Sequence, residues 1–128
     1  MAVITQEAMI DTDFYATLKY SGAGGDTAIV DASALSGHSA GETVTIKKVK
    51  IYGPSGIQIL LEEDLSSGTQ PKLLYLNGGQ VYGGSPGADR WEPPIRMSKA
   101  TNYTGDVDIT SSGTGNFTLI IQVTKDWA

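Results

Sequence analysis

Residues 102–127 read NYTGDVDITSSGTGNFTLIIQVTKDW, and their pattern decides the fold class. From Gly105 to Thr110, apolar Val107 and Ile109 alternate with polar Asp106 and Asp108. Ser111-Ser112-Gly113-Thr114-Gly115-Asn116 is a small, polar loop. Phe117 to Thr124 is then a run rich in aromatic and β-branched residues. Two such runs joined by a glycine-containing loop predict an antiparallel hairpin. Side chains alternate across a strand, so Phe117, Leu119, Ile121 and Val123 share one face. Thr118, Ile120, Gln122 and Thr124 share the other. A strand with one apolar face needs a second layer over it, so the rest of the chain has to supply an opposing sheet.

The preceding residues are built the same way. Phe14, Ala16, Leu18 and Tyr20 alternate with Tyr15, Thr17 and Lys19, which predicts a strand from Asp13. Ser21–Asp26 is a turn, and Thr27–Asp31 a short strand. Asp31–Glu42 is small and broken by glycine, too short for a stable helix, and reads as a loop with room for one helical turn. Thr43–Tyr52 is a long strand whose apolar face changes sides between Ile46 and Val49, the mark of a β-bulge or of a strand crossing between sheets. Gly53-Pro54-Ser55-Gly56 is a turn, and Ile57–Leu61 is expected to be the hairpin partner of the long strand, closed by Glu62-Glu63-Asp64. Leu73–Leu76 and Ile95–Ala100 read as further short strands, with the irregular Asn77–Pro94 between them. The expectation is an all-β fold: an antiparallel β-sandwich, jelly-roll-like, with seven or eight strands and essentially no helix. Residues 1–12 form an N-terminal arm or edge strand, and residues 13–128 a single β-sandwich domain.

Composition narrows the function. A chain of 128 residues makes one domain. A domain of this size buries roughly two-thirds of its unfolded surface and needs no metal or disulfide to fold. With no cysteine, thiol chemistry is excluded. A net charge of -5 and a pI of about 4.6 argue against direct nucleic-acid binding, which rewards clustered Lys and Arg. The Lys47, Lys48 and Lys50 cluster reads as a solvated or edge-strand patch. Met1–Ile10 lacks the positive region and apolar core of a secretory signal. No stretch approaches the roughly 20 apolar residues of a membrane span, so no membrane partner is expected.

No constellation specifies a reaction, and no catalytic, cofactor or metal residue is assigned. His38, the single histidine, lies in a Gly/Ser loop without the shaped nucleophile turn a triad requires. Glu62, Glu63 and Asp64 are consecutive, so on a strand neighbours point to opposite faces and cannot form a facing carboxylate pair. Asp106 and Asp108 share a face, expected to be a plain solvent face. The glycine pairs at 78–79 and 83–84 open no helix and are turns rather than phosphate loops. Tyr82, Trp91, Tyr103 and Trp127 lie in or beside loops, where aromatics cap a core, anchor a protein interface or stack on sugar.

From about residue 14 onward, the succession of strands and turns resembles small virion structural proteins of tailed bacteriophages. The resemblance is carried by Ile29–Gly37, Val44–Tyr52 and Ile57–Leu61, and by the closing pair Thr104–Thr110 and Phe117–Lys125. The chain departs from the pattern at Leu61-Glu62-Glu63-Asp64, where such chains carry a Trp-Asp-Ala-Thr segment. The resemblance implies a non-enzymatic virion protein on the capsid exterior, of the decoration (cement) type. It implies binding to the major capsid protein and assembly as a homo-oligomer, dimer or trimer, around a symmetry axis. In this reading the arm and the 78–94 loop touch the shell or a sister subunit, and Val3, Ile4, Met9, Ile10, Tyr82, Arg90, Trp91 and Trp127 are the interface candidates. The alternatives are a neck, tail or fibre-associated adaptor, and a carbohydrate-binding β-sandwich module using Tyr82 and Trp91.

Overall fold

Polar and apolar residues alternate along the long strands, and burial follows that alternation. The computed structural model describes residues 2–83 and 92–127. Among them are ten strands: β1 (Glu7–Asp11), β2 (Tyr15–Ala23), β3 (Thr27–Val30), β4 (Val44–Tyr52), β5 (Gln58–Leu65), β6 (Lys72–Asn77), β7 (Val81–Tyr82), β8 (Ile95–Arg96), β9 (Tyr103–Ser112) and β10 (Asn116–Lys125). β7 and β8 hold two residues each, which leaves eight strands of four residues or more. The one helical turn is 3-10, Ala32–Ala34, capped by Asp31, whose side chain accepts from the Ser33 N–H.

The strands pair antiparallel in two sheets. One runs β1-β2-β10-β4-β7, with β8 also on β4; the other runs β3-β9-β5-β6. The chain passes back and forth between the sheets, and β2-β10-β4-β7 facing β3-β9-β5-β6 is a jelly-roll order. Leu18, Ile51, Leu119 and Ile121 from the first sheet meet Val30, Ile59, Leu61 and Ile109 from the second, and all eight are at most 2% exposed.

Two expected hairpins are corrected. β9 and β10 do not pair with each other: β9 lies between β3 and β5, and β10 lies between β2 and β4 in the opposite sheet. Likewise β5 is not the partner of β4 but crosses to the other sheet. The reason is burial. A hairpin would have placed the apolar faces of both strands on the same side; an arch turns Val107 and Ile109 towards Leu119 and Ile121 across the core. A few residues suffice to span the roughly 10 Å between packed sheets. The arches crowd together at one end. Gly113 has φ +99°, and a Cβ there would lie 2.1 Å from the Gly56 carbonyl oxygen.

The side-switch in β4 is a bulge. Lys48 pairs with Gln122 and Ile46 with Val123, which leaves Lys47 unpaired, so Lys47 and Lys48 are both exposed. Along β5, Glu62 and Asp64 face outward, while Glu63 turns in and is 1% exposed. Its Oε1 accepts from the Ser98 N–H at 2.9 Å and the Ser98 hydroxyl at 2.6 Å. β5 therefore continues through the acidic run instead of ending at it. Phe14, expected on the inward face, is 69% exposed. It sits in a turn where the Thr12 hydroxyl oxygen accepts from the Phe14 and Tyr15 N–H groups, so the inward alternation begins only at Ala16.

Candidate interaction surface

The N-terminal segment binds both sheets in turn. The Ile4 N–H donates to the Thr27 carbonyl at 2.7 Å, and the Thr27 N–H to the Ala2 carbonyl at 2.9 Å, which lays residues 2–4 along the β3 edge. The Gln6 side-chain oxygen accepts from the Tyr20 hydroxyl at 2.7 Å and the Asp31 N–H at 2.8 Å. β1 then pairs with β2 at the edge of the six-stranded sheet. Its far end is locked by Lys125, whose side chain is fully buried. Position 125 continues the inward alternation of Phe117, Leu119, Ile121 and Val123, so β10 delivers an ammonium where a hydrophobe is expected. Its Nζ donates to the Asp11 carboxylate, the Thr12 carbonyl and, at 3.0 Å, the Ser36 carbonyl, which uses all three of its hydrogens. Burial pushes the Asp11 carboxyl up, but the Lys125 hydrogen bond and the Ser36 N–H outweigh this and hold it below its usual value.

The sequence-predicted interface residues do not form one patch. Val3, Met9 and Ile10 are exposed, at 78%, 55% and 44%, along the edge formed by the arm. Ile4 turns inward and packs against the core. Trp127 is half-buried: its indole N–H donates to the Ser36 carbonyl at 3.2 Å, and its ring meets His38 edge-on at 5.0 Å. His38 itself is tied to the Glu42 carbonyl at 3.0 Å. Tyr82 is on β7, at the opposite end of the six-stranded sheet from β1. Its hydroxyl donates to the Pro93 carbonyl at 2.8 Å, and it lines an open groove with Leu74, Tyr75, Gln80 and Glu92. Arg90 and Trp91 lie outside the described residues. Exposed aromatics that the sequence reading did not single out as interface candidates are Phe14, Tyr15, Tyr52 and Tyr75. Tyr15 and Tyr52 were legible as outward positions of their strands.

No protein-family model matches the chain, and no curated protein matches it. Among solved structures, a cupin domain from Bordetella pertussis Tohama I is similar over 98% of this chain and 95% of that one, at 9% identity and a TM-score of 0.41. The jelly-roll assignment stands on the strand order.

The outer faces of the two sheets carry opposite charge. On the six-stranded sheet, Lys19, Ile120 and Lys50 form one row, and Thr17, Gln122 and Lys48 the next. Lys47 adds a fourth ammonium, Tyr15 and Tyr52 lie on the same face, and the Lys50 Nζ sits 5.1 Å from the Tyr52 ring centroid. Glu7, opposite Lys19, is the acid that β1 adds to this face. On the four-stranded sheet, Glu62 pairs with Asp108, and Asp64 and Asp106 lie alongside, with Lys72 opposite Glu62. Burial and the Asp64 carboxyl push Asp108 up to about 6, against the pull of Gln70. Burial, offset in part by the Ala32 N–H, raises Asp106, and Asp31 and Asp64 add to the rise. Among the described residues, none of these four lysines and four carboxylates has a salt-bridge partner. Apart from the shared plain-strand expectation for Asp106 and Asp108, this segregation was invisible in sequence, because it depends on which strands share a sheet.

Proposed function

We propose that the chain is a non-enzymatic structural protein of a tailed-bacteriophage virion, a capsid decoration (cement) protein that binds the major capsid protein and stabilises the head. The reading rests on the sequence resemblance, and one structural observation supports it. A single edge of the sandwich, residues 3–14, exposes Val3, Met9, Ile10 and Phe14. All five residues of β1 are exposed, and its outer edge leaves main-chain N–H and C=O groups unpaired. Glu7, Asp11 and a register shift between Ala8 and Ile10 blunt the two ends of this edge, and between them Met9 and Ile10 remain apolar and exposed. An apolar strand held rigidly against its own sandwich is suited to bury itself on a partner. Assembly as a dimer or trimer would repeat this edge around a symmetry axis, and many weak contacts over a shell add up by avidity.

The test is capsid binding by Met9→Asp/Ile10→Asp. Both side chains are exposed, so the fold is expected to persist. Occupancy on purified capsids should fall at least about tenfold, as expected when charges are buried in an apolar contact. Native occupancy by the folded variant would remove the edge from the account.

A further inference from the structure

We infer that the lysine-bearing face of the six-stranded sheet is a docking surface for a second copy of this chain, which presents the acidic face of its four-stranded sheet. The inference goes beyond the proposed function, which uses the β1 edge and a capsid partner and needs neither of these faces.

Charge complementarity identifies the occupant. Lys19, Lys47, Lys48 and Lys50 stand on one side of the sandwich; Glu62, Asp64, Asp106 and Asp108 stand on the other. Four ammonium groups and four carboxylates, none with a salt-bridge partner among the described residues, meet when one molecule stacks on the next. The net charge of -5 separates copies in most orientations, and this stacking is the one that brings unlike charge together. The faces also carry apolar contact. Ile120 and Tyr52 lie among the lysines, and Ile29 and Leu60 flank the acids. A shallow depression lined by Thr17, Lys48, Lys50, Tyr52, Ile120 and Gln122 offers relief into which a facing side chain fits.

The smaller, four-stranded sheet sets the size of the contact. Its strands of four, ten, eight and six residues, at about 3.3 Å per residue and about 4.8 Å spacing, give a footprint of about 450 Å² per partner. The total, about 900 Å², is that of a weak, reversible contact, and such a contact depends on its charge complementarity. Because different faces of the two copies meet, the contact is heterologous: it closes into a ring or continues as a stack.

Sedimentation velocity over a concentration series tests this on the intact chain. At about 0.05 M salt the sedimentation coefficient should rise with concentration; at about 0.5 M, where screening shortens the reach of charge to a few ångströms, the apparent Kd should weaken at least about tenfold. Lys48→Glu/Lys50→Glu should be monomeric at low salt, and so should Glu62→Lys/Asp108→Lys. Mixed one to one, the two variants should associate, because the reversed faces match again. Circular dichroism checks that each is folded; should a reversal fail to fold, the neutral pairs Lys48→Gln/Lys50→Gln and Glu62→Gln/Asp108→Asn replace it and should each weaken association. A native chain that stays monomeric at low salt overturns the inference. Association insensitive to salt, or folded variants that fail to combine, overturns it equally. None of these outcomes touches the capsid-binding test, which reads β1.

Discussion

Replacing Lys125 with Met should unfasten the N-terminal strand while leaving the sandwich standing. The native ammonium is fully buried and donates to Asp11, Thr12 and Ser36, while the Asp11 carboxylate is 24% exposed. Met fills the same channel but leaves Asp11 without its cation and the Thr12 carbonyl without this donor. Breaking a fully buried pair by removing one partner costs about 3–5 kcal/mol. Partial exposure of Asp11 and the remaining Ser36 N–H bond at 3.0 Å place this case at the lower end, about 3 kcal/mol. For a chain of this length that corresponds to a fall in Tm of about 12 °C. Urea unfolding measures the loss, and hydrogen exchange locates it: amides of residues 7–11 should exchange faster, while those of β4 and β9 change only with global stability. The pH dependence carries an independent sign. The Asp11 carboxyl is held below its ordinary value in the folded protein, so the pair stabilises fully above that ordinary value and loses its contribution as pH falls through the lower folded one. Native protein should therefore lose more stability than the variant on acidification below about pH 4. A variant within about 2 °C of native Tm, with residues 7–11 still protected, would show that the Lys125 contacts do not hold β1 in place.

The remaining predictions concern the acidic face and the arches. Asp108 has its folded value raised from 3.8 to about 6, so native stability falls as pH rises through that window and stays reduced above it. Asp108→Asn should be more stable than native at pH 7 and converge with it below pH 4, read from urea midpoints across pH; a variant less stable at pH 7 would contradict the assignment. Gly113→Ala combines a positive φ with a Cβ placed 2.1 Å from the Gly56 carbonyl and should cost at least about 3 kcal/mol. Gly56→Ala, which meets nothing within 4 Å, is the control and should change stability by less than about 1 kcal/mol.

The fold class was legible because period-two alternation is a local property. Leu18, Ile46, Ile59, Ile109 and Leu119 each occupy the inward positions their own strands prescribe, and even the β4 bulge shows as a phase change between Ile46 and Val49. Pairing was not legible. A short glycine loop joins a hairpin or an arch equally well, and the choice between them at Gly113–Gly115 was made by residues far away: β10 finds β2 and β4, and β9 finds β3 and β5. The same distance hid the lock. Lys125 reads as the polar end of a strand, and its partner Asp11 lies 114 residues earlier. Of the apolar residues in the N-terminal arm, Val3, Met9 and Ile10 are exposed while Ile4 packs against the core, a division that depends on which edge the arm lies along and so does not show in the sequence. Phe14 was missed because the Thr12 turn interrupts the phase it appeared to begin.

A capsid decoration protein, as proposed for this chain, is a stoichiometric part of a virus particle. Quantitative mass spectrometry of particles purified from the source of the sequence, reporting copies of this chain against the major capsid protein, should find one copy per capsid subunit or a simple fraction of it. A handful of copies would move the chain to the neck or tail, and its absence from the particle would contradict the claim.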